Sequence, residues 1–269
     1  MRHRGITPSW LTGHATRRML VMVSLGCIVC ATFARIASAG GDALIVKEAL
    51  TPDRLGAAAN LSITASFASS ADVPPSPIDR LTLYGPVGLG IQARAAGTCT
   101  EAALERRGPA GCPADSRVGF GGGVAVLALP GQIVREPFTL DFFFESSAGG
   151  RLRLLAYASG VSPVGGSLVV VAKEIPAPRP YGLGFSVQVP PVLTIPGAEY
   201  VSVESAFATI GASNVAYFKT VHGRQTLVHV KGLTVPARCP FGGFPTRATV
   251  EFADGARFTV DPAIPCPRS

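Results

Sequence analysis

His222 and His229 are the two histidines beyond residue 39. Four cysteines (Cys99, Cys112, Cys239, Cys266) complete the side chains best suited to metal binding or nucleophilic catalysis there. A structural zinc site takes four Cys or His ligands, usually with a Cys-x-x-Cys element, and these four cysteines form none. A catalytic histidine needs a nucleophile in reach and a third group to orient it. His222 precedes Gly223 in a turn signal, and His229 alternates with Val228 and Val230, so neither is singled out for catalysis. Gly-x-Ser-x-Gly and His-Glu-x-x-His are both missing. Asp141 and Glu145 fall on one side of an alternating run, about 13 Å apart along a strand. That is wide for the carboxylate pair of a glycosidase, and a solvated face is the expectation. The glycines at 119, 121, 122 and 123 resemble a phosphate loop but lack both its Gly-Lys-Ser/Thr ending and the third glycine of Gly-x-Gly-x-x-Gly. No catalytic residue, metal or cofactor is therefore assigned.

The cysteines read instead as disulfides, since an even number in an exported chain is a bridging framework. Cys99 and Cys112 flank a short helical signal. Thr98 and Glu101 have the spacing of a capping box. Residues 102–105 favour helix, Arg106 and Arg107 suit its C-terminus, and Gly108-Pro109 stops it and prevents restart. Two turns are marginal alone. A Cys99–Cys112 bond would staple them by about 3 kcal/mol in the chain-entropy model. The second bridge follows from a predicted hairpin. A three-residue loop, Ala253-Asp254-Gly255, sets Val250 against Phe258, Ala248 against Val260 and Glu251 against Arg257. One face is then apolar, the charges pair on the other, and Gly255 takes a left-handed bulge position. The hairpin brings Cys239 and Cys266 together, a bond worth about 3.5 kcal/mol.

Residues 1–39 have the form of a cleaved secretory signal. Four arginines precede a mostly apolar run, Met19 to Phe33, and Ala37-Ser38-Ala39 is a small-residue cleavage site. Fifteen residues are short for a bilayer span, so no stable span is expected after cleavage. Arg17-Arg18 resembles a twin-arginine signal, but the general secretory route is the expectation. Removing the signal changes the charge. The chain has 24 Lys+Arg and 17 Asp+Glu; five arginines and no acid lie before Gly40, leaving 19 against 17. Nucleic acid loses its support as a partner. An unidentified envelope or extracellular ligand remains.

Period-two alternation dominates residues 40–269. Residues 60–67, 81–84, 139–145, 151–158, 181–189, 216–221 and 224–230 all read as strands, with His222-Gly223 opposing Phe218 to Leu227 and Tyr217 to Val228. In residues 118–126 Gly119, Gly121 and Gly123 share one face, which lets a backbone or ring approach closely. Asn60-Leu61-Ser62 is a glycosylation sequon that matters only in a eukaryotic pathway. About a dozen strands and one short helix near 99–107 predict an all-β, antiparallel two-sheet sandwich of immunoglobulin-like kind, one exported domain with two subdomains as the alternative.

Cys99, Gly111-Cys112-Pro113, Ser116, Gly119 and Gly121 form one motif. Cys239-Pro240, Gly242-Gly243-Phe244-Pro245, Asp254-Gly255 and Cys266-Pro267 form another. Through them the chain resembles uncharacterised secreted Cys-Pro-containing proteins of high-GC Gram-positive bacteria. The resemblance implies export and a shared fold, and it brings no activity. The functional expectation is a non-catalytic exported β protein with a structural or binding role. The alternative is an envelope carbohydrate-active hydrolase whose carboxylates come from separate strands.

Overall fold

Every named strand pair is antiparallel, and one hydrogen-bonded path connects twelve strands. The computed structural model describes residues 35–39, 42–68, 74–91, 96–129, 131–145, 150–162, 165–192, 201–211, 216–229 and 232–267. The expected signal segment before Arg35 lies outside the described residues. The described residues belong to one compact unit, Thr32–Ser269.

The strands are β1 (Arg35–Ala39), β2 (Asp42–Thr51), β3 (Ala58–Ala68), β4 (Ile78–Pro86), β5 (Gly90–Ile91), β6 (Arg117–Leu129), β7 (Gln132–Glu145), β8 (Arg153–Gly160) and β9 (Gly166–Ile175). They continue with β10 (Tyr181–Gln188), β11 (Val201–Ile210), β12 (Ala216–Val221), β13 (Arg224–His229), β14 (Leu233–Thr234), β15 (Phe244–Pro245), β16 (Arg247–Phe252), β17 (Arg257–Val260) and β18 (Ala263–Ile264). One α-helix, α1 (Glu101–Arg107), precedes β6. The path runs β1-β2-β3-β11-β6-β7-β8-β9-β10-β4-β16-β17. Its two ends come together. Leu44 and Val46 of β2 and Phe67 of β3 pack against Ala248, Val250 and Phe252 of β16 and Phe258 and Val260 of β17. Thus the expected all-β antiparallel fold with one short helix is present, and its layers are stretches of one continuous sheet rather than separately bonded sheets.

The C-terminal hairpin has the predicted register: Val250 opposes Phe258, Ala248 opposes Val260, and Glu251 opposes Arg257. Gly255 has φ +87°, as the bulge requires. The glycine face of β6 is filled by its neighbour's backbone. A Cβ on Gly119, Gly121 or Gly123 would lie 2.4, 2.2 or 2.1 Å from a carbonyl oxygen of β11, and one on Gly123 would also meet the Phe138 ring at 2.7 Å. Asn60 of the sequon is buried in β3.

The helix differs from its sequence reading at both ends. Its N-cap is Thr100, whose hydroxyl accepts from the Ala103 amide at 3.2 Å, not Thr98. The cause is the sheet. The Cys99 amide donates to the Phe144 carbonyl at 2.7 Å, so extended pairing persists through residue 99 and the helix starts after it. Glu101 turns towards Arg153 instead of back to residue 98. At the other end Gly108 closes the helix with φ +60°, but Pro109 does not prevent a restart. It enters a 3-10 turn, Gly108–Gly111, because a missing amide costs nothing in a first turn. Disulfides join Cys99 to Cys112 and Cys239 to Cys266, with Cα separations of 5.1 and 5.7 Å.

Candidate functional site

The helix is seated on the outer face of β7, β8 and β9 by an apolar patch. Leu104 and Cys99 are buried against Phe143 and Leu155, with Val171 beside them. This corrects the expectation of a solvated face at Asp141, Phe143 and Glu145: Phe143 is as buried as Phe144, because α1 covers one side of the sheet and a second cluster with Val118 and Leu154 covers the other.

Beyond the helix the same face turns polar. In register across it run Glu145, Arg153, Lys173, Ser186, Thr82, Thr249 and Thr259, one from each of seven neighbouring strands. Gln188, Arg80 and Glu251 form the adjoining row. Where this surface meets α1 there is a groove of about 480 Å³, with Glu101 on one rim, Arg80, Lys173, Ser186 and Gln188 around it, and Val169 and Val171 in its lining. That volume is in the range of small-ligand sites, and half of the lining residues, Val170, Ile175 and Pro190 among them, are apolar. A cavity near Leu44 and Phe67, about 20 Å³, has room for about one water.

Hydrogen bonds fix two of the groove's polar side chains, Arg80 and Gln188. The Arg80 guanidinium donates from Nε and Nη2 to Gln188 Oε1 at 3.1 and 3.0 Å, and Gln188 Nε2 donates to Asp79 at 2.8 Å. Further along the face Arg247 forms a two-point contact with Asp261 at 2.5 and 3.0 Å. The Tyr181 hydroxyl donates to the same carboxylate at 3.0 Å. Arg247 holds Asp261 below the usual carboxylate range, and burial raises the Tyr181 phenol. The Tyr84 ring stacks on Tyr181, over Gly184, where a Cβ would lie 2.9 Å from the Tyr84 ring. This cluster locks β10, β4 and β16 at one end of the polar face.

At the helix end two carboxylates meet one guanidinium. Arg153 Nε lies 2.7 Å from Glu145, and its Nη2 lies 3.8 Å from Glu101. The first contact is an ion pair too poorly aligned to be a hydrogen bond. Burial raises the Glu145 carboxyl and the Glu101 charge adds to the rise. Arg153, the Glu101 amide and Lys173 oppose it. Glu145 is thus bound from the helix side and the sheet side at once. Asp141 pairs separately with Arg117. The structure therefore does not assemble Asp141 and Glu145 as a pair; it assembles Glu101 and Glu145, from α1 and β7.

His222 sits in the β12–β13 turn with φ +51°, and His229 ends β13. Among the described residues no three His, Cys, Asp or Glu side chains are grouped to hold a metal, and no helix is long and apolar enough to cross a membrane. The four cysteines serve the two bridges.

Sequence reasoning missed Glu48. On β2, Leu44, Val46 and Leu50 are buried, and Glu48 continues their alternation, so the acid is on the core side. Its carboxyl contacts the Thr246 hydroxyl, which lies 3.3 Å from the Pro262 carbonyl. Burial raises the Glu48 carboxyl against the opposing effect of that hydrogen bond. The alternation of residues 44–50 was the available signal. Compared with family models, with curated proteins and with solved structures, the chain matches none.

Proposed function

We propose that the chain is an exported, non-catalytic β protein of the cell envelope or extracellular space that binds a polar ligand in the groove beside α1. The carrying observation is the groove itself. Arginine, lysine, serine and glutamine from β4, β9 and β10 line a space large enough for a ligand, against a helix fixed by a disulfide. Two bridges in the folded chain agree with an oxidising compartment. The signal in residues 1–39 supplies the route, and the resemblance to secreted Cys-Pro-containing proteins agrees with it. In this reading the packing of β2 and β3 on β16 and β17 is the interior of an immunoglobulin-like sandwich, one domain from Gly40 onwards. Cleavage after Ala39 would remove β1 and about 4 kDa.

Binding of soluble envelope glycan fragments to the exported protein, followed by calorimetry, tests the reading. Lys173→Glu combined with Gln188→Ala is expected to abolish binding with no loss of thermal stability. Unchanged binding would move the site elsewhere.

The hydrolase alternative expected carboxylates from separate strands; the pair that does meet, Glu101 of α1 and Glu145 of β7, flanks one guanidinium and is its one observation in favour. Burial raises the Glu145 carboxyl, the direction a general acid needs, but Arg153 lies against it and opposes that rise. Glycan cleavage lost in Glu145→Gln would replace the binding reading.

A further inference from the structure

The first strand of the path is also the end of the expected signal. Arg35–Ala39 pairs with Asp42–Val46 of β2, Ala37 opposite Leu44 and Arg35 opposite Val46. Cleavage after Ala39 takes this strand away. Among the described residues β1 is bonded to β2 alone and β17 to β16 alone, and β17 lies against both β1 and β2. Removal of β1 therefore leaves a slot one strand wide, walled by the edges of β2 and β17.

The two walls differ. β17 is four residues long, begins at Arg257 and runs into Asp261-Pro262. A short edge with a charge and a nearby proline resists stray pairing. β2 has no such protection where β1 leaves it. Residues 42–46 read Asp-Ala-Leu-Ile-Val, with one charge at the end and no proline. Their register with β3 continues from Ala43 to Thr51 without a bulge. A flat apolar edge of this kind is a template for a further strand. Leu44 and Val46 also belong to the core layer that includes Phe258 and Val260, so a strand in the slot shields that layer.

We propose that the exported protein takes an extended peptide segment of another exported protein into this slot, antiparallel to β2. Backbone bonds to β2 supply affinity, and the alternate side chains supply selectivity. The position opposite Leu44 is held by an alanine in β1, so a small residue is expected there. A single extended segment can pass between β2 and β17. The edge of a second folded copy would bring its neighbouring strands with it. The inference rests on the export and cleavage of the proposed reading and not on the groove.

The test begins with the N-terminal sequence of the exported protein, which is expected to start at Gly40. A start before Gly40 would overturn both the cleavage and the slot. A dye-labelled peptide of the sequence Arg35–Ala39, its ends blocked, is then titrated into the protein by fluorescence anisotropy, and amide exchange maps its seat. Saturable binding with slowed exchange in residues 42–46 is expected. Of two successive amides in a strand, one faces the partner. The same peptide with Ile36→Pro and Ala37→Pro thus loses a bond to β2 and should bind about ten-fold more weakly. The protein itself is unaltered, so no variant has to fold. No binding, protection elsewhere, or equal binding of the two peptides would overturn the proposal and leave the export reading standing. So would a dimer in analytical ultracentrifugation whose formation slows the same amides, since a second copy would then cover β2.

Discussion

Replacing Glu48 by glutamine should make the protein more stable at neutral pH, and the gain should depend on pH in a set way. The Glu48 side chain lies on the core side of β2 between buried Val46 and Leu50 and opposite Ile63. The Thr246 hydroxyl has one proton and two acceptors within reach, the Glu48 carboxyl and the Pro262 carbonyl. Pro262 already accepts the Thr246 amide at 3.0 Å. With Glu48 protonated, its own proton can go to Thr246, and Thr246 can then donate to Pro262. With Glu48 ionised, the hydroxyl must serve the carboxylate, and the charge sits in a mostly apolar surround.

Burial raises the folded-state value above the ordinary 4.5. Below that ordinary value the neutral acid is present in both states and its stabilising share is complete. As pH rises from there through the folded value the unfolded chain ionises first, and that share is lost. The largest slope is about 1.4 kcal/mol per pH unit. For a domain of this size 1 kcal/mol is about 2–4 °C in Tm. Glutamine stays neutral and can bond Thr246. The Tm difference between Glu48→Gln and the parent should therefore open above about pH 4.5, by at most roughly 3–6 °C per unit, and then level off. Calorimetry of both proteins in half-unit steps from pH 4 to 8.5, at fixed ionic strength, measures it. Parallel Tm curves, or a variant less stable throughout, would refute the argument. Thr246→Val should cost about 1–3 kcal/mol by leaving the acid without its partner.

Two further substitutions test the fold. Gly121→Ala would set a Cβ 2.2 Å from the Phe207 carbonyl and should destabilise by about 1–3 kcal/mol, with amide exchange rising first along β6 and β11. Thr100→Ala should cost about 1 kcal/mol in chemical denaturation while Thr98→Ala costs much less; the reverse order would restore the cap at residue 98.

The features legible in the sequence are those whose partners lie nearby in the chain. The 247–260 hairpin could be read to the residue because both strands alternate and Asp254-Gly255 sets the loop. The glycines of β6 announced a close approach, though not that β11 makes it. The strands β2, β9 and β11 were not singled out, each for its own reason. In β2, Lys47-Glu48 interrupts the apolar alternation. In β9, Leu168 to Val171 is a continuous apolar run, since α1 lies over part of its outer face and that side loses its polar residues. β11 alternates, but Ser202 and Ser205 weaken the signal, and Ser202 is fully buried. The groove is further from reach, because Arg80, Glu101, Lys173 and Gln188 meet only when β4 leaves its sequence neighbours to pair with β10 and β16.

That non-local pairing also explains why the polar residues are together. β4 carries Arg80, Thr82 and Tyr84 on one side and Leu81 and Leu83 on the other. The apolar side is required by the core, which fixes register: a slip of one residue would bury Arg80 and expose Leu81. Arg80 is thereby brought to Gln188 across one edge and to Glu251 across the other, where its guanidinium lies 3.8 Å from the carboxylate. An exposed ion pair of this kind contributes little stability. The polar row is positioned by the burial of leucines on the opposite face, so its residues can be changed to suit a ligand without endangering the sheet.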